Sequence, residues 1–358
     1  MRLSRLNKRI SDWLVARFGP GAPVRPPLRR GQTIHVVILD GTMSSLDPGE
    51  ETNAGLTMKL LQDSPVSVYY EPGLQWSHWR RAGDVFFGRG LNRQIRRAYG
   101  YLASRYRPGD KIYLMGYSRG AYAVRSLGGV IDRVGLLHAE HATERNIRQA
   151  YRHYECTPDS PAAQAFSKTY CQGAVEIEMI GAWDTVKSLG INAPVLWRLS
   201  APRHAFHNHT LGPSVKRGYH AIARDETRVV YAPVMWDSHD VAPQQTLVQM
   251  WFRGSHGDVG GNLGGFHAAR PLSNIPLVWM LEQAEAAGLP LPAGWQVRFP
   301  RDASAPSTGT WRGWSALFPT RKARKIGRDP SERTHPSVDT PHKTPGWAFP
   351  FKGANPKA

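Results

Sequence analysis

The sequence predicts an α/β fold, a doubly wound and mostly parallel sheet with helices on both faces. Three observations carry that expectation. Short apolar runs alternate with helix-patterned segments along most of the chain, the pattern of strands joined by crossover helices. Residues 33–39 (TIHVVIL) form a nearly continuous apolar run, as a parallel strand buried on both faces requires. Residues 111–127 (KIYLMGYSRGAYAVRSL) read as strand, tight turn and helix, with Gly-x-Ser-x-Gly at the turn.

Taken in order, residues 2–18 place Leu3, Leu6, Ile10, Trp13, Leu14 and Phe18 at helical spacing, with Arg2, Arg5, Lys8, Arg9 and Arg17 mostly elsewhere on the wheel. Such a helix suits a membrane surface, a partner, or its own domain. Residues 19–31, rich in Pro and Arg, read as a linker. The first strand, 33–39, ends in Asp40-Gly41-Thr42. Residues 66–70 form a second strand before Glu71-Pro72-Gly73, and 91–106 a basic amphipathic helix leading to the third strand at 112–115. A helix over 120–131 and another over 139–155 follow, then a strand at 175–180 (VEIEMI). Residues 188–213 lack periodicity and read as a loop or cap over the site. Residues 215–223 read as helical, 228–236 and 247–252 as strands, and 275–287 as a last helix. Three regions are therefore expected: a basic amphipathic arm and linker (1–30), an α/β-hydrolase catalytic domain (31–295), and a basic, Pro-rich C-terminal extension with no core of its own (296–358).

Composition narrows the classes. The net charge of +18 favours anionic partners, such as a phospholipid surface or an acidic protein. Nucleic acid is not expected, because no zinc spacing, RNP-like aromatic motif or basic-region heptad accompanies the charge. The absence of a run of about 18 apolar residues argues against a membrane-spanning helix. Residues 3–18 have no continuous apolar stretch of the kind a secretory signal needs. Cys156 and Cys171 cannot form a disulfide framework and read as two free thiols, a single bridge being the alternative.

The chemistry centres on Ser118. In a nucleophile elbow a serine sits in a strained strand-to-helix turn with its hydroxyl presented. The Arg119 amide and a second amide from Gly41 or Thr42, just after the first strand, are the expected oxyanion donors. A serine hydroxyl needs a base, and the base an orienting carboxylate. Asp184 stands just after the 175–180 strand and is the candidate acid. His256 stands just after the 247–252 strand in a Gly-rich loop and is the candidate base. His220 and His239 are rival bases. Asp258 is a rival acid or a support for the histidine loop, and Asp40 a further alternative. A cation site built from Asp40, Asp184 and Asp258 is the competing use of these carboxylates; the serine reading needs neither metal nor cofactor.

These segments resemble the type VI secretion phospholipase effector family, an α/β-hydrolase domain. The likeness lies in residues 34–42 (IHVVILDGT) with Thr52-Asn53, in 116–122 (GYSRGAY) with Arg125, and in 181–186 (GAWDTV). It continues in 220–226 (HAIARDE), 251–261 (WFRGSHGDVGG) and, weakly, 334–338 (THPSV). The resemblance implies ester hydrolysis, in known members on glycerophospholipids, with Ser118 as nucleophile, Asp184 as acid and His256 as base. It makes the His220 segment a structural helix. It also implies an antibacterial effector made in the bacterial cytoplasm and exported without a signal peptide, with an immunity protein or secretion adaptor as partner. The sequence departs from larger members in lacking their long C-terminal extension. Two other readings remain open: a hydrolase fold kept only for binding, and an esterase on non-lipid esters.

Overall fold

The computed structural model describes residues 31–73, 89–186, 210–311 and 320–340. The amphipathic arm and the cap segment expected at 2–18 and 188–213 lie wholly or mostly outside these residues. Among the described residues seven strands form one sheet in the order β2-β1-β3-β4-β5-β6-β7. They are β1 Ile34–Leu39, β2 Ser67–Glu71, β3 Lys111–Tyr117, β4 Met179–Trp183, β5 Arg217–Ala223, β6 Thr246–Phe252 and β7 Glu332–Thr334. Every neighbouring pair is parallel. Among the described residues no helix is long and apolar enough to cross a membrane.

Strand periodicity sends alternate residues to opposite faces. In β1, Val37 and Leu39 enter one core and Val36 and Ile38 the other. The first core is covered by α2 (Arg89–Arg105), α3 (Arg119–Arg133) and α4 (Glu144–Cys156), with α5 (Pro161–Tyr170) behind α4. The second is covered by α1 (Asn53–Leu61) and α7 (Arg270–Ala286). The chain runs outward from β1 to β2, then returns past β1 to β3, so the strand order reverses between β1 and β3. A crevice opens at the C-terminal ends of strands at such a reversal, and the Ser118 turn and the 40–44 loop both start there.

Several expectations are corrected. Residues 217–223 are the buried strand β5, not a helix. Ile222 is their one β-branched residue, so local propensity favours helix, but parallel pairing to β4 and β6 with both faces buried overrides it. Residues 228–236 are no strand; they contain a 3₁₀ turn at Val229–Tyr231. The strand expected at 175–180 begins later, at Met179. The sheet does not stop at residue 295, since β7 pairs with Gln249 to Trp251 of β6. Within the C-terminal extension expected to have no core of its own, the Arg324 side chain is 4% exposed. Helices α1 and α5 carried no expectation. Both cysteines are free thiols, Cys171 buried and Cys156 exposed.

Candidate active site

β3 ends at Tyr117 and α3 begins at Arg119, which leaves Ser118 to turn the chain. Its backbone sits at φ 58° and ψ −118°, a conformation that L-residues hold only when their surroundings impose it. The imposition is visible. Ser118 N–H donates to Trp183 O at 2.9 Å, tying the turn to the end of β4. A Cβ at Gly116 would lie 2.6 Å from the Gly120 carbonyl, and one at Gly120 would lie 2.0 Å from Leu39 O. Both glycines of the motif are therefore required by close backbone approach. α3 starts directly over the end of β1, and Arg119, its first residue, carries one of the unbonded N–H groups of a helix start.

His256 opens the single-turn helix α6 (His256–Gly260), where a Gly-rich loop was expected. Its Nε2 lies 2.8 Å from Ser118 Oγ and its Nδ1 2.6 Å from Asp184 Oδ2. The aspartate's acceptor oxygens place the imidazole proton on Nδ1, leaving Nε2 to accept from the serine. The ring is held between two aromatics: Tyr231 stacks on it with centroids 4.6 Å apart, and Tyr117 lies 4.9 Å away. His256 N–H donates to Glu226 Oε2 at 3.1 Å, and Glu226 is itself paired to the buried Arg228 at 2.6 Å.

Asp184 follows β4 at φ 42° and is fully buried. Ala223 N–H donates to its Oδ1 at 3.0 Å. Arg324 grips both oxygens, Nη1 to Oδ1 at 2.5 Å and Nη2 to Oδ2 at 2.9 Å, and also donates to Ala223 O and Tyr231 O. Burial pushes the carboxyl's pKa up, but Arg324 and the His256 hydrogen bond outweigh it and hold the pKa well below the usual range.

The rival residues have other duties. Asp258 accepts from Ser255 N–H and Oγ, from Ser307 Oγ and from Thr308 N–H, which caps α6 and fastens the 307–308 segment to it. Asp40 accepts from Gly41 N–H, Thr52 Oγ1 and Tyr70 Oη at 2.6 to 2.8 Å, and so shapes the 40–44 loop. Burial is the largest influence on it and lifts its pKa to about 6 despite these donors. His220 is fully buried within β5, where Nε2 accepts from Thr185 N–H at 3.0 Å. Burial, then the Arg125 charge, push its pKa down to about 3, so it is a neutral prop under the Asp184 turn. His239 is exposed and bonded to Asp237 at 2.5 Å. The three aspartates of the competing cation reading are not gathered in one cluster.

Thr42, Tyr117, Ser118, Arg119, Val186, Val230, Tyr231, His256 and Asn262 line one cleft. Gly41 packs so closely on the elbow that a Cβ there would meet the Tyr117 ring at 2.6 Å and Ser118 Cβ at 3.3 Å. The loop expected to supply the second oxyanion amide thus packs directly against the elbow. Sequence reasoning missed Arg324, Tyr231, Glu226 and Arg228. Glu226 stood in a quoted family segment, but nothing local marks the other three.

Residues 34–283 match the model of the T6SS phospholipase effector Tle1-like catalytic domain, more than two thirds of the chain. The uncharacterized protein YEL023C of Saccharomyces cerevisiae is 32% identical over 185 residues, covering 44% of this chain and 27% of that protein. An uncharacterized protein from Pseudomonas aeruginosa aligns in structure at TM-score 0.42 and 16% identity, over 80% of this chain and 51% of the other. The Tle1 effector bound to the VgrG spike of the type 6 secretion system aligns at TM-score 0.37 and 18% identity, over 67% and 53%. The chain therefore spans about a quarter of the yeast relative and about half of each of these two structures.

Proposed function

The chain belongs to the family of Tle1-like catalytic domains of type VI secretion phospholipase effectors, and from that membership we propose that it is a serine hydrolase of carboxylic esters. The substrate in this reading is bacterial glycerophospholipid, cleaved at an acyl ester by a phospholipase A acting as an antibacterial effector. The observation that supports it best is the unbroken chain of short hydrogen bonds from Ser118 Oγ through His256 to the buried Asp184.

The chemistry follows from that chain. Ser118 Oγ attacks the ester carbonyl as its proton passes to His256 Nε2. Asp184 stabilises the imidazolium through Nδ1–H. Arg119 N–H and an amide of the Gly41–Thr42 loop receive the oxyanion. The imidazolium then protonates the departing alcohol, a lysophospholipid. Water, activated by the same imidazole, attacks the acyl-serine and releases fatty acid. The overall charge of +18 supports a second part of the reading, that an anionic bilayer concentrates the enzyme on its substrate. Delivery to a target cell, with a secretion adaptor or an immunity protein as partner, is the family-level part of the same proposal.

Ser118→Ala is expected to reduce turnover at least about a thousandfold. The assay is fatty-acid release from a mixed bacterial lipid extract, with products identified by mass spectrometry. A fluorophosphonate should label wild type at Ser118 and leave the variant unlabelled. Release at the wild-type rate by Ser118→Ala would end the reading, and labelling without lipid products would favour a non-lipid ester.

A further inference from the structure

The Gly41–Thr42 peptide is held by more of the molecule than a connecting loop needs. Asp40 is 1% exposed. Its Oδ1 accepts Gly41 N–H at 2.6 Å. Its Oδ2 accepts the hydroxyl of Thr52, which caps α1, at 2.6 Å, and that of Tyr70, from β2, at 2.8 Å. One carboxylate therefore joins β2 and the start of α1 to a single backbone amide. The Gly41 carbonyl accepts Ser44 N–H at 3.2 Å, which closes a turn over residues 41–44. Gly73 N–H donates to Ser44 Oγ at 3.1 Å. A Cβ at Gly73 would lie 1.9 Å from Gly41 O and 2.6 Å from Thr42 N. Met43 stands in the turn at φ 62°, a conformation that disfavours a side chain. The loop conformation is thus imposed by its neighbours.

These bonds separate the two amides of the loop. Gly41 N–H is taken by Asp40. Thr42 N–H has no hydrogen-bond partner among the described residues. Thr42 lines the cleft with Ser118, Arg119 and His256. In the trans Gly41–Thr42 peptide the N–H points away from the C=O, and that C=O is turned to Ser44.

We propose that Thr42 N–H is the second oxyanion donor of this cleft, and that Asp40 is the positioning residue that aims it. By accepting Gly41 N–H while bonded to Thr52 and Tyr70, the Asp40 carboxylate fixes the peptide from which Thr42 N–H projects. The assignment rests on the serine-hydrolase reading and deepens it. It gives Asp40, a rival acid in the sequence, a duty outside the Ser118–His256–Asp184 chain. A donor fixed in advance needs no reorganisation as charge develops on the carbonyl oxygen. Without the Asp40 acceptor the Gly41–Thr42 peptide is free to turn, and the oxyanion loses one donor while the serine, histidine and aspartate keep their bonds.

The test compares kcat/KM on a short-chain ester with that on its thionoester, in which sulfur replaces the carbonyl oxygen. Donors placed for oxygen serve the larger, weaker-accepting sulfur poorly, so an intact donor pair favours the oxygen ester. Damage to the fold or to the proton relay lowers both rates together. Asp40→Ala is expected to lower kcat on the oxygen ester at least about a hundredfold with KM within about threefold, and to lower the ratio at least about tenfold. Asp40→Asn, whose Oδ1 can still accept Gly41 N–H, is expected to keep a ratio nearer wild type. An unchanged ratio in Asp40→Ala, or one equally low in Asp40→Asn, overturns the positioning role. Replacing Thr42 by its α-hydroxy acid removes that N–H and keeps the side chain; a wild-type ratio there overturns the donor assignment. Should Asp40→Ala not fold, Gly73→Ala decides, because its methyl must displace the Gly41–Thr42 peptide. The same fall in the ratio is expected, and no fall overturns the proposal. If wild type cleaves neither ester, the hydrolase reading and this proposal fall together; wild-type cleavage with unchanged ratios in the variants overturns the proposal alone.

Discussion

Replacing Arg324 with methionine removes the guanidinium that holds both oxygens of Asp184 while keeping much of the side-chain volume. In wild type the Arg324 side chain is 4% exposed and that of Asp184 fully buried. Removing one partner of such a buried pair typically destabilises by about 3–5 kcal/mol, because a charge is left without compensation. The carbonyls of Ala223 and Tyr231 lose a donor as well. The carboxyl can escape part of this by taking up a proton. Each 1.36 kcal/mol corresponds to one pKa unit, so Asp184 is expected to titrate about two to four units higher in the variant. The sign follows: a depressed carboxylate pKa contributes stability above the unfolded value that is lost as pH falls through the folded value, and Arg324→Met forfeits that contribution at neutral pH. Urea denaturation at pH 7 reads the stability, and its dependence on pH through the acid range reads the carboxyl. Arg324→Lys, which keeps the charge and loses the fork, should fall between. Wild-type stability within about 0.5 kcal/mol together with an unchanged acid dependence of stability would refute the reasoning.

Other outcomes follow from the same geometry. Asp184→Asn should lower kcat by about 10³- to 10⁴-fold, whereas Asp258→Asn should weaken folding through the 307–308 attachment and leave the turnover of folded protein nearly intact. The reverse pattern in a kinetic comparison of the two would move the acid to Asp258. His220 titrates near 3 when folded against 6.5 when unfolded, so its stabilising contribution is complete above pH 6.5 and is lost as pH falls. Between pH 7 and pH 5 the loss is about 2 kcal/mol, and His220→Gln should remove that slope from denaturation midpoints. An identical pH dependence in the two proteins would contradict the neutral-prop assignment.

The three residues joined by hydrogen bonds were legible because each follows an apolar strand in a sheet whose topology collects strand ends. Ser118 has a local motif, and Asp184 and His256 have position. The choice between Asp184 and Asp258 was not legible from spacing, since a His-x-Asp pair in one loop resembles a working pair. The reason for that spacing is a capping box, an interaction internal to α6. Arg324 was missed for a different reason. It sits in a basic run, and composition cannot distinguish a solvated arginine from one bonded 140 residues away. Tyr231 was taken as a strand residue, and its stacking on His256 depends on a turn with no periodic signal. β5 was read as a helix because its Ala, Gly, His and Arg content hides a burial imposed by its neighbours.

The Arg324–Asp184 bond also sets an order of assembly. Ser118, Asp184 and His256 all leave the ribosome before Arg324, and at about 5–20 residues per second the 140-residue gap behind Asp184 takes on the order of 10 to 30 s to synthesise. Until then the nascent chain carries Ser118, His256 and an Asp184 whose carboxylate lacks its clamp, in a sheet that lacks the strand at 332–334. The 31–186 and 210–260 segments can therefore emerge with the carboxylate still unclamped, and the finished arrangement waits on residues 324 and 332–334.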